Sequence, residues 1–457
     1  MAKFWGSRFK GKTDQLADQF SFSIGYDYRL ALYDCIGGIA HAKMLGKCKI
    51  IPKSDADKIV KGLKAIGQKI QNGKFEFDAN EEDVHSNIQS VLKKNIGTAA
   101  DKLHTARSRN DLIVLDMKLY CLVELNLIVE AITVLQKSIL KFATKHKKTL
   151  IPAYTHLQSA QVVLLAHHML AYVEMLERDK SRLKDAIVRM DVNPLGSCAL
   201  SGTTLPTDRK CVTELLGFLA TSQNSMDAVS DRDFIIESVS HLAMMGTHFS
   251  RIAEDMIIWA TSEFNFVNID WSLCTGSSIM PHKKNPDILE LIRGESATIL
   301  GNLNKLFVLL KGLPLTYNRD LQLDKPPLFE SVEKMQMILP LLTKLFDTLK
   351  VNESKIAEKL DNESFFSVDM MEYLISKGVS YREAHDTIGR LIKDCADKGN
   401  KIVDLSEKEL KKYHLKLDHG VKKLLNAESS VRNKKSFGST SPQSIEQQLK
   451  FWKKNLN

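Results

Sequence analysis

The longest stretch of this chain without glycine or proline constrains its fold more than any other feature. It extends from Thr98 to Ile151. Apolar residues recur along it at spacings of three and four positions, at Leu112, Leu115, Leu119, Leu122, Leu125, Val129, Ile132, Leu135 and Ile139. Because an α-helix has about 3.6 residues per turn, this spacing puts them all on one face. The pattern predicts a single helix much longer than the average helix of globular proteins.

Four more segments with few glycines and prolines predict further long helices. They cover approximately residues 153–193, 227–266, 286–310 and 327–360, the last with a kink at Pro340. Patterns typical of strands are almost absent. Five long helices with apolar stripes predict an all-α fold with an up-and-down bundle of long helices at its centre.

Shorter helical patterns, interrupted by glycines, flank the long ones and predict two smaller helical domains. The predicted division is an N-terminal helical domain over residues 1–110, a central bundle domain over 111–360 and a C-terminal helical domain over 361–457. Helices of this length usually bury apolar stripes on more than one side, which favours bundling with further copies of the chain. We therefore expect a homo-oligomer whose core is the central domain.

The formal net charge of +9 is compatible with a nucleic-acid partner and with an anionic small molecule. The lysines are spread along the whole chain among 55 acidic residues, and aromatic residues do not interleave with basic patches. Such a distribution is typical of solvated helix faces, so no nucleic-acid partner is predicted.

No uncharged run is long enough to span a bilayer, and Lys3, Arg8 and Lys10 interrupt the region in which a signal peptide needs an apolar stretch. The seven cysteines are widely spaced and never form a CxxC pair, which disfavours a disulfide framework and a structural zinc site. We expect a cytoplasmic protein without a membrane partner.

The most specific motif is GSSIMPHKKNPD, from Gly276 to Asp287. Asn285 and Pro286 are suited to the N-cap and the first position of a helix. Two hydroxyl groups and Lys283 next to the positive end of that helix would form an anion site. If the motif stood alone, an ordinary loop and helix cap would be the better explanation.

Three further polar clusters lie at the ends of the predicted long helices. HTARSRND contains Arg109 and Asn110, whose side chains are suited to bind carboxylates, and THLQ contains Thr155 and His156. TYNRDLQLDK joins the fourth and fifth long helices and offers Tyr317, Asn318, Arg319, Gln322 and Lys325. Taken singly, the first cluster is explained by a solvated basic turn, and His156 by a structural cap.

No set of histidine, cysteine or carboxylate residues shows the spacing of metal ligands on a helix or a hairpin. The chain also lacks a glycine-rich loop of the kind that cradles phosphates or dinucleotides. We therefore predict neither a metal nor a cofactor.

Together, the clusters resemble the three shared sequence regions of the aspartase/fumarase superfamily, which here are HTARSRND, THLQ and GSSIMPHKKN. Within it, the chain is similar to the argininosuccinate lyase family over nearly its full length. The motifs that carry this resemblance are FWGSRF, SIGYDYRL, EEDVHSN, NPLGSCALSGTTLPTDR, SMDAVSDRDF, TYNRDLQLDK and FGSTSP. The resemblance implies a fumarase/aspartase-like fold and a cofactor-free carbon–nitrogen lyase that splits argininosuccinate reversibly into arginine and fumarate.

The resemblance also implies a homotetramer in which each active site draws on three chains. Position by position, Ser277 and His156 match the two catalytic residues of the family, and Lys283 and Asn285 match further residues of its site loop. The positions that match substrate contacts are Ser23, Asn110, Thr155, Tyr317, Gln322 and Lys325. Arg109, in the HTARSRND cluster, is a further predicted substrate contact because it can donate hydrogen bonds to carboxylates. Lys283 is expected to assist catalysis.

The chain departs from the family pattern at a few positions. Ala106 stands where the family usually has glycine, Leu112 where it usually has glutamine, and Cys198 lies in the small-residue loop. Leu323 and Pro326 are also departures, and they flank the predicted substrate contact Lys325, so they bear on how that contact is positioned.

Removal of a proton next to a carboxylate builds a second negative charge there, so the reaction needs preorganised cations and N–H donors. The residue types favour Ser277 as the base and His156 as the group that assists the leaving nitrogen, and they leave the reverse assignment open. Two alternative functions also stay open. One is a sister lyase such as adenylosuccinate lyase, fumarase or aspartase, and the other is a non-catalytic structural protein like the δ-crystallins.

The predicted site residues cannot all meet within one chain. Asn110 begins the first long helix and His156 lies beyond its far end, so at about 1.5 Å per residue they are roughly 60 Å apart. If both belong to one site, neighbouring chains must run antiparallel and contribute opposite ends of their helices. This geometry predicts active sites that are shared between chains.

Overall fold

The structure is a computed structural model that describes residues 14–456. The FWGSRF motif and the basic residues Lys3, Arg8 and Lys10 lie outside the described residues. Within the described part, the chain is mainly helical, which confirms the predicted all-α class.

The helices are numbered in chain order. Before the long helices come α1 (Gln15–Ser21), α2 (Ile24–Asp27), α3 (Ala31–Lys47), α4 (Lys53–Gln71) and α5 (Val84–Ile96). The central segment contains α6 (Arg109–Lys145), α7 (Leu165–Met190), the short α8 (Arg209–Leu216) and α9 (Ser225–Ser230), α10 (Asp233–Ala260), α11 (Asp287–Leu310) and α12 (Lys325–Thr348). The remaining helices are α13 (Glu353–Leu360), α14 (Ser367–Ser376), α15 (Tyr381–Lys398), α16 (Glu407–Tyr413), α17 (Ala427–Arg432) and α18 (Pro442–Asn455).

Short 3-10 helices and strands connect these helices. The 3-10 helices are Tyr28–Leu30, Gly97–His104, Trp271–Leu273, Arg319–Asp324, Glu363–Phe366, Ile402–Asp404 and His419–Leu424. The strands are β1 (Leu150–Thr155), β2 (Gln158–Leu164), β3 (Val192–Asn193), β4 (Ala220–Thr221), β5 (Val267–Asn268), β6 (Thr275–Gly276), β7 (Lys284–Asn285) and β8 (Lys350–Val351). They form the antiparallel pairs β1–β2, β5–β8 and β6–β7 and the parallel pair β3–β4.

The chain divides into two compact units. The first consists of residues 1–129, 181–243 and 298–334, and the second of residues 130–180, 244–297 and 335–457. Each of the five long helices has residues in both units. The predicted three domains, with boundaries at residues 110 and 360, stay a prediction.

In the first unit, α3 and α5 pack near the beginning of α6. A Cβ atom on Gly37 of α3 would come within 2.7 Å of Leu115 on α6, so this position needs glycine for the two helices to approach closely. Further along α6, the ring centroid of Tyr120 lies 4.9 Å from that of Phe329 on α12. These contacts bury one face of the beginning of α6.

In the second unit, polar contacts join the end of α6 to its neighbours. Ser138 donates a hydrogen bond to Asp347 of α12 at 3.1 Å, and Gln136 donates one to the carbonyl of Val173 on α7 at 3.2 Å. The C-terminal helices enclose an apolar cluster of their own, made of Met370, Leu374, Val379, Ala384, Ile388, Leu391, Cys395, Ile402, Leu410, Leu417 and Val421.

Residues 153–164 correct the prediction of a helix over 153–193. They belong to the β1–β2 hairpin, and α7 begins only at Leu165. The hairpin turn consists of His156 and Leu157, whose φ angles are 55° and 56°. Hairpin turns of this kind favour asparagine and glycine, which tolerate positive φ. Because this turn contains neither, the sequence carries no turn signal.

Other helix predictions were wrong at their ends. The segment 327–360 is interrupted at β8 and forms α12 and α13, although Pro340 lies inside α12 as expected. The segment 227–266 divides into α9 and α10, and α10 ends at Ala260. Helix α11 starts at Asp287, so Asn285 is not its N-cap and lies in β7 instead. None of the helices in residues 14–456 combines the length and apolar character that a membrane span requires.

Ala106 has a φ of 55°, in the left-handed region that residues other than glycine, asparagine and aspartate usually avoid. We predict that Ala106→Gly raises the free energy of unfolding by about 0.5–1 kcal/mol, because relief of this strain exceeds the added entropy of the unfolded chain. Urea unfolding at fixed protein concentration measures the change. Ala131→Gly inside α6 is the control and should lower stability by about 1 kcal/mol. A loss of stability in both variants would contradict the prediction.

Candidate active site

The side chain of Arg109, the first residue of α6, is held by the start of α5. Its Nε lies 3.3 Å from Asp83 Oδ2, its Nη1 donates to Glu82 at 3.2 Å, and its Nη2 donates to Ser86 Oγ at 2.8 Å. Asp83 also caps α5 by accepting the backbone N–H of Ser86 at 2.8 Å. Although burial opposes the shift, the charges of His85 and Arg109 lower the pKa of Asp83. One carboxylate therefore both begins α5 and fixes Arg109.

Glu82 extends this network to the segment that precedes α12. Its second oxygen lies 2.9 Å from Arg319 Nη2, which also donates to the carbonyl of Ser21 at 2.7 Å. Gln322 donates to the same carbonyl at 2.8 Å. Nearby, Tyr317 is half-buried, and this burial raises its pKa.

Ser23 and Lys325 lie in buried polar surroundings. Ser23 donates to Asp27 at 2.5 Å, and the other oxygen of Asp27 accepts the first backbone N–H of α5. Lys325 is only 2% exposed, and its ammonium lies 3.1 Å from Asp324, which also pairs with Arg232 at 2.5 Å. Burial raises the pKa of Asp27. The two substrate contacts predicted here are thus buried polar groups, each with a carboxylate as a partner.

Asn110 is positioned by the small-residue loop after β3. Its amide donates to the carbonyl of Ala199 at 3.0 Å. Next to it, Asp111 accepts the backbone N–H groups of Ser108, Gly196 and Cys198 at 2.8–3.0 Å. Burial raises the pKa of Asp111 to about 6. The first unit therefore contains six of the predicted site residues: Ser23, Arg109, Asn110, Tyr317, Gln322 and Lys325.

The second unit contains the other five: Thr155, His156, Ser277, Lys283 and Asn285. Thr155 ends β1 and His156 begins the hairpin turn, and both side chains are exposed. In the described part of the chain, no hydrogen bond or ion pair joins this turn to Ser277. The positive φ of His156 is the kind of backbone strain that concentrates at functional sites.

Ser277 opens the seven-residue loop between β6 and β7. Its Oγ accepts the backbone N–H groups of Ile279 at 3.3 Å and Met280 at 3.0 Å. Across the loop, Asn285 donates to the carbonyl of Gly276 at 3.4 Å. Two N–H groups directed at one hydroxyl oxygen stabilise negative charge on it.

Two adjacent lysines in this loop differ in their surroundings. Lys284 donates to Asn268 at 2.8 Å and lies over the ring of Trp271, 4.4 Å from its centroid. Lys283 is exposed, and within residues 14–456 its ammonium has neither a hydrogen bond nor an ion pair. Lys284 therefore anchors the loop, whereas Lys283 can bind an anion from solution.

Asp34, His85 and Asp116 form a buried group whose candidate ligand atoms lie within 4.8 Å of one another. His85 is hydrogen-bonded to Asp34 and lies 3.8 Å from Asp116. Burial alone would lower the pKa of His85, but the charge of Asp34 and then Asp83 and Asp116 raise it to about 9. The raised pKa favours the imidazolium form of His85, which compensates Asp34, whereas burial raises the pKa of Asp116 well above its ordinary value. The predicted absence of a metal requirement stays a prediction.

Known sequence families match most of the chain. A family model described as "Lyase" matches residues 7–301, and one described as "Argininosuccinate lyase C-terminal" matches residues 366–432. A protein of Syntrophus aciditrophicus named argininosuccinate lyase is 45% identical over 98% of this chain and 95% of its own length. One of Listeria monocytogenes with the same name is 42% identical over the full length of both chains.

This chain belongs to the argininosuccinate lyase family. It is an enzyme of the lyase class, which confirms the family and enzyme class that the sequence motifs implied. Solved structures confirm the fumarase/aspartase-like fold. An EDDS lyase in complex with formate, 24% identical, has a TM-score of 0.82 over 98% of this chain and 90% of its own. A class II fumarase of Schistosoma mansoni, 15% identical, has a TM-score of 0.76 over 92% of this chain and 95% of its own.

Sequence reasoning did not assign a role to Glu82, Asp324 or Arg232. Glu82 and its neighbours are part of the EEDVHSN motif, and Asp324 is adjacent to Lys325, so motif membership was the available signal. Their roles depend on partners far along the chain, such as Arg319 for Glu82 and Arg232 for Asp324. A single sequence does not reveal those pairs.

The pKa of His85 predicts a pH dependence of stability. It is raised from the ordinary value of 6.5 to about 9, so its contribution is fully present below pH 6.5 and is lost as pH rises through 9. We predict that His85→Gln removes a contribution on the order of 3 kcal/mol at pH 6, and much less at pH 10. Urea unfolding of the variant and the wild type across this range measures the difference.

His41→Gln is the matched control, because His41 is equally buried and its pKa is lowered to about 3, mainly by burial. The His41→Gln variant should leave the slope of the free energy of unfolding against pH unchanged between pH 6.5 and 9. A His85→Gln difference that is constant with pH would show that this imidazole does not gain a proton on folding.

Proposed function

We propose that this chain catalyses the reversible β-elimination of argininosuccinate to arginine and fumarate, in the context of arginine biosynthesis. The observation that carries the proposal is Ser277, whose hydroxyl oxygen accepts two backbone N–H groups in a loop with the unpaired Lys283. The 42–45% identity to proteins named argininosuccinate lyase over nearly the whole chain supports the substrate.

The elimination removes a proton from the carbon next to a carboxylate and breaks the adjacent C–N bond. Negative charge develops on that carboxylate in the transition state, so cations and N–H donors placed there lower the barrier. We assign this role to Lys283 and the amides of the loop. Ser277 is the base, since the amides of Ile279 and Met280 stabilise its deprotonated form.

The electron pair of the broken C–N bond goes to the leaving nitrogen. Because the guanidinium of argininosuccinate is already protonated, it leaves as a neutral guanidine, and the demand on an acid is milder than for an amine. His156 assists the leaving nitrogen and orders the site. The reverse assignment of Ser277 and His156 is the alternative mechanism.

Substrate binding is assigned to the polar groups of both units. Arg109, Asn110 and Lys325 supply hydrogen-bond donors for carboxylates. Their contacts with Glu82, Ala199 and Asp324, respectively, hold them in place and support this role. The remaining contacts proposed are Ser23, Thr155, Asn285, Tyr317 and Gln322. The site as proposed needs no cofactor and no metal.

We further propose a cytoplasmic homotetramer with active sites shared between chains. Large apolar side chains exposed on the long helices support association with copies of the chain. They include Val123, Leu127 and Val134 on α6, Leu291, Leu300, Phe307 and Val308 on α11, and Met337 on α12. With 37 residues, α6 is about 55 Å long, which supports contributions from different chains to one site.

A spectrophotometric assay of fumarate formation by the purified protein tests the function. Argininosuccinate should yield fumarate and arginine, whereas malate, aspartate and adenylosuccinate should not react. No fumarate from argininosuccinate would favour a non-catalytic role like that of the δ-crystallins. Activity on one of the other substrates would favour a sister enzyme.

Ser277→Ala should lower kcat at least about a hundredfold, the usual loss for a positioned acid or base, while folding and substrate binding stay nearly intact. Ser278→Ala is the control, because this neighbouring hydroxyl is not assigned to proton transfer, and it should keep wild-type kcat within about threefold. Steady-state kinetics and a binding assay measure both. A Ser277→Ala variant with more than about a tenth of wild-type activity would exclude Ser277 as the base.

Mixed oligomers test the shared site. Asn110→Leu and His156→Ala, each inactive alone, should regain activity after unfolding and refolding together. About one site in four would then combine an intact Asn110 with an intact His156 from another chain, if symmetric oligomers assemble at random. The readout is fumarate formation by the mixture relative to each parent. Proven mixed oligomers that are no more active than the parents would rule out sharing of this kind.

A further inference from the structure

We infer that Glu82 is a positioning residue of the substrate site, which holds Arg109 and Arg319 side by side as a pair of guanidinium groups for a substrate carboxylate. The inference rests on the proposed function and extends it. It assigns a role to Glu82 and adds Arg319 to the substrate contacts.

The contacts of Glu82 are divided between the two arginines. Oε2 accepts a hydrogen bond from Arg109 Nη1 at 3.2 Å, and Oε1 lies 2.9 Å from Arg319 Nη2. The backbone carbonyl of Glu82 also accepts the N–H of Ser23 at 2.8 Å. Its side chain is 16% exposed, so this carboxylate is largely withdrawn from water. Glu82 therefore links three segments of the first unit that contain predicted substrate contacts.

The two guanidinium groups differ in the N–H donors that remain free to bind a substrate. A guanidinium has five N–H groups. All three side-chain nitrogens of Arg109 have a partner. Nη1 and Nη2 donate hydrogen bonds to Glu82 and Ser86, and Nε forms an ion pair with Asp83. Arg319 uses only Nη2, and within residues 14–456 its Nε and Nη1 have no protein partner. Its side chain is 52% exposed. The free donors therefore belong mainly to Arg319.

Two guanidinium groups repel each other and would separate without an anion between them. Glu82 supplies that anion, since one of its oxygens accepts a hydrogen bond from Arg109 and the other forms an ion pair with Arg319. The N–H donors that remain free on these guanidinium groups can bind a carboxylate in pairs. The substrate is expected to carry several carboxylates, and one of them fits this pair.

A merely structural role for Glu82 is the competing explanation, and kinetic constants distinguish the two. A contact made with the substrate in both the ground state and the transition state changes KM more than kcat. We expect Glu82→Gln and Arg319→Gln each to raise KM for argininosuccinate at least about tenfold, with kcat within about threefold of wild type. Loss of structure alone would lower the amount of active enzyme and leave KM unchanged.

The double variant adds a second readout. Because part of the effect of Glu82 is exerted through Arg319, Glu82→Gln/Arg319→Gln should raise KM by clearly less than the product of the two single effects. Glu81→Gln is the matched control, since Glu81 accepts a hydrogen bond from Ser90 and has no ion pair with an arginine of residues 14–456. Its KM should stay within about twofold of wild type. Full multiplication of the two single effects would contradict a joint role.

The outcomes separate this inference from the proposed function. A wild-type protein that forms no fumarate from argininosuccinate would overturn the proposed function and this inference with it. An active wild type together with an unchanged KM in Arg319→Gln would overturn the inference alone. Arg319 is half exposed, so its replacement gives this answer even if Glu82→Gln does not fold.

Discussion

Burial of the apolar face of α6 is the constraint on which the rest of the structure depends. Six of the nine residues that define this face are almost completely inaccessible, namely Leu112, Leu115, Leu125, Ile132, Leu135 and Ile139. At about 1.5–3 kcal/mol for each fully buried aliphatic side chain, this face alone contributes on the order of 10 kcal/mol before the entropy of folding is subtracted. A helix stabilised along its whole length keeps its two ends apart. The polar groups at those ends are therefore separated by a rigid element.

The beginning of α6 shows how a dry interior accommodates the charges that a substrate site needs. His85, in the first turn of α5, lies against Asp34 and Asp116. Arg109 is held by Glu82 and Asp83, which precede α5, and by Ser86 in its first turn. Asp34 and Asp83 each have a cation or a backbone N–H as a partner, which offsets part of the penalty of burial, whereas neither oxygen of Asp116 has a hydrogen bond within residues 14–456. The same pairing restricts each side chain to one orientation. The contacts that compensate the buried charges therefore also position the side chains.

Much of the fold and of the site could be predicted from local patterns. The 3.6-residue periodicity predicted α6 because helix formation and burial depend on the same spacing. Ser277, Lys283 and Asn285 were predicted because they share one short motif, and the structure has Ser277 and Lys283 in the loop between β6 and β7 and Asn285 in β7. The hairpin at 150–164 was missed, since His156 and Leu157 adopt positive φ without the residue types that usually accompany it. The pair of two-residue strands β5 and β8 shows no local signal, because strands this short depend on their partners.

The sequence was sufficient to predict the helical class, a long helix at α6, the family and the chemical types present at the helix ends. These follow from periodicity and from motifs, which are properties of neighbouring residues. The three-dimensional packing was needed to show that Glu82 contacts both Arg109 and Arg319, that Lys325 is buried beside Asp324, and that within residues 14–456 Lys283 is unpaired while Lys284 is anchored. These contacts join residues far apart along the chain or differ between adjacent, chemically identical side chains. Packing determines them, and a local pattern contains no information about packing partners.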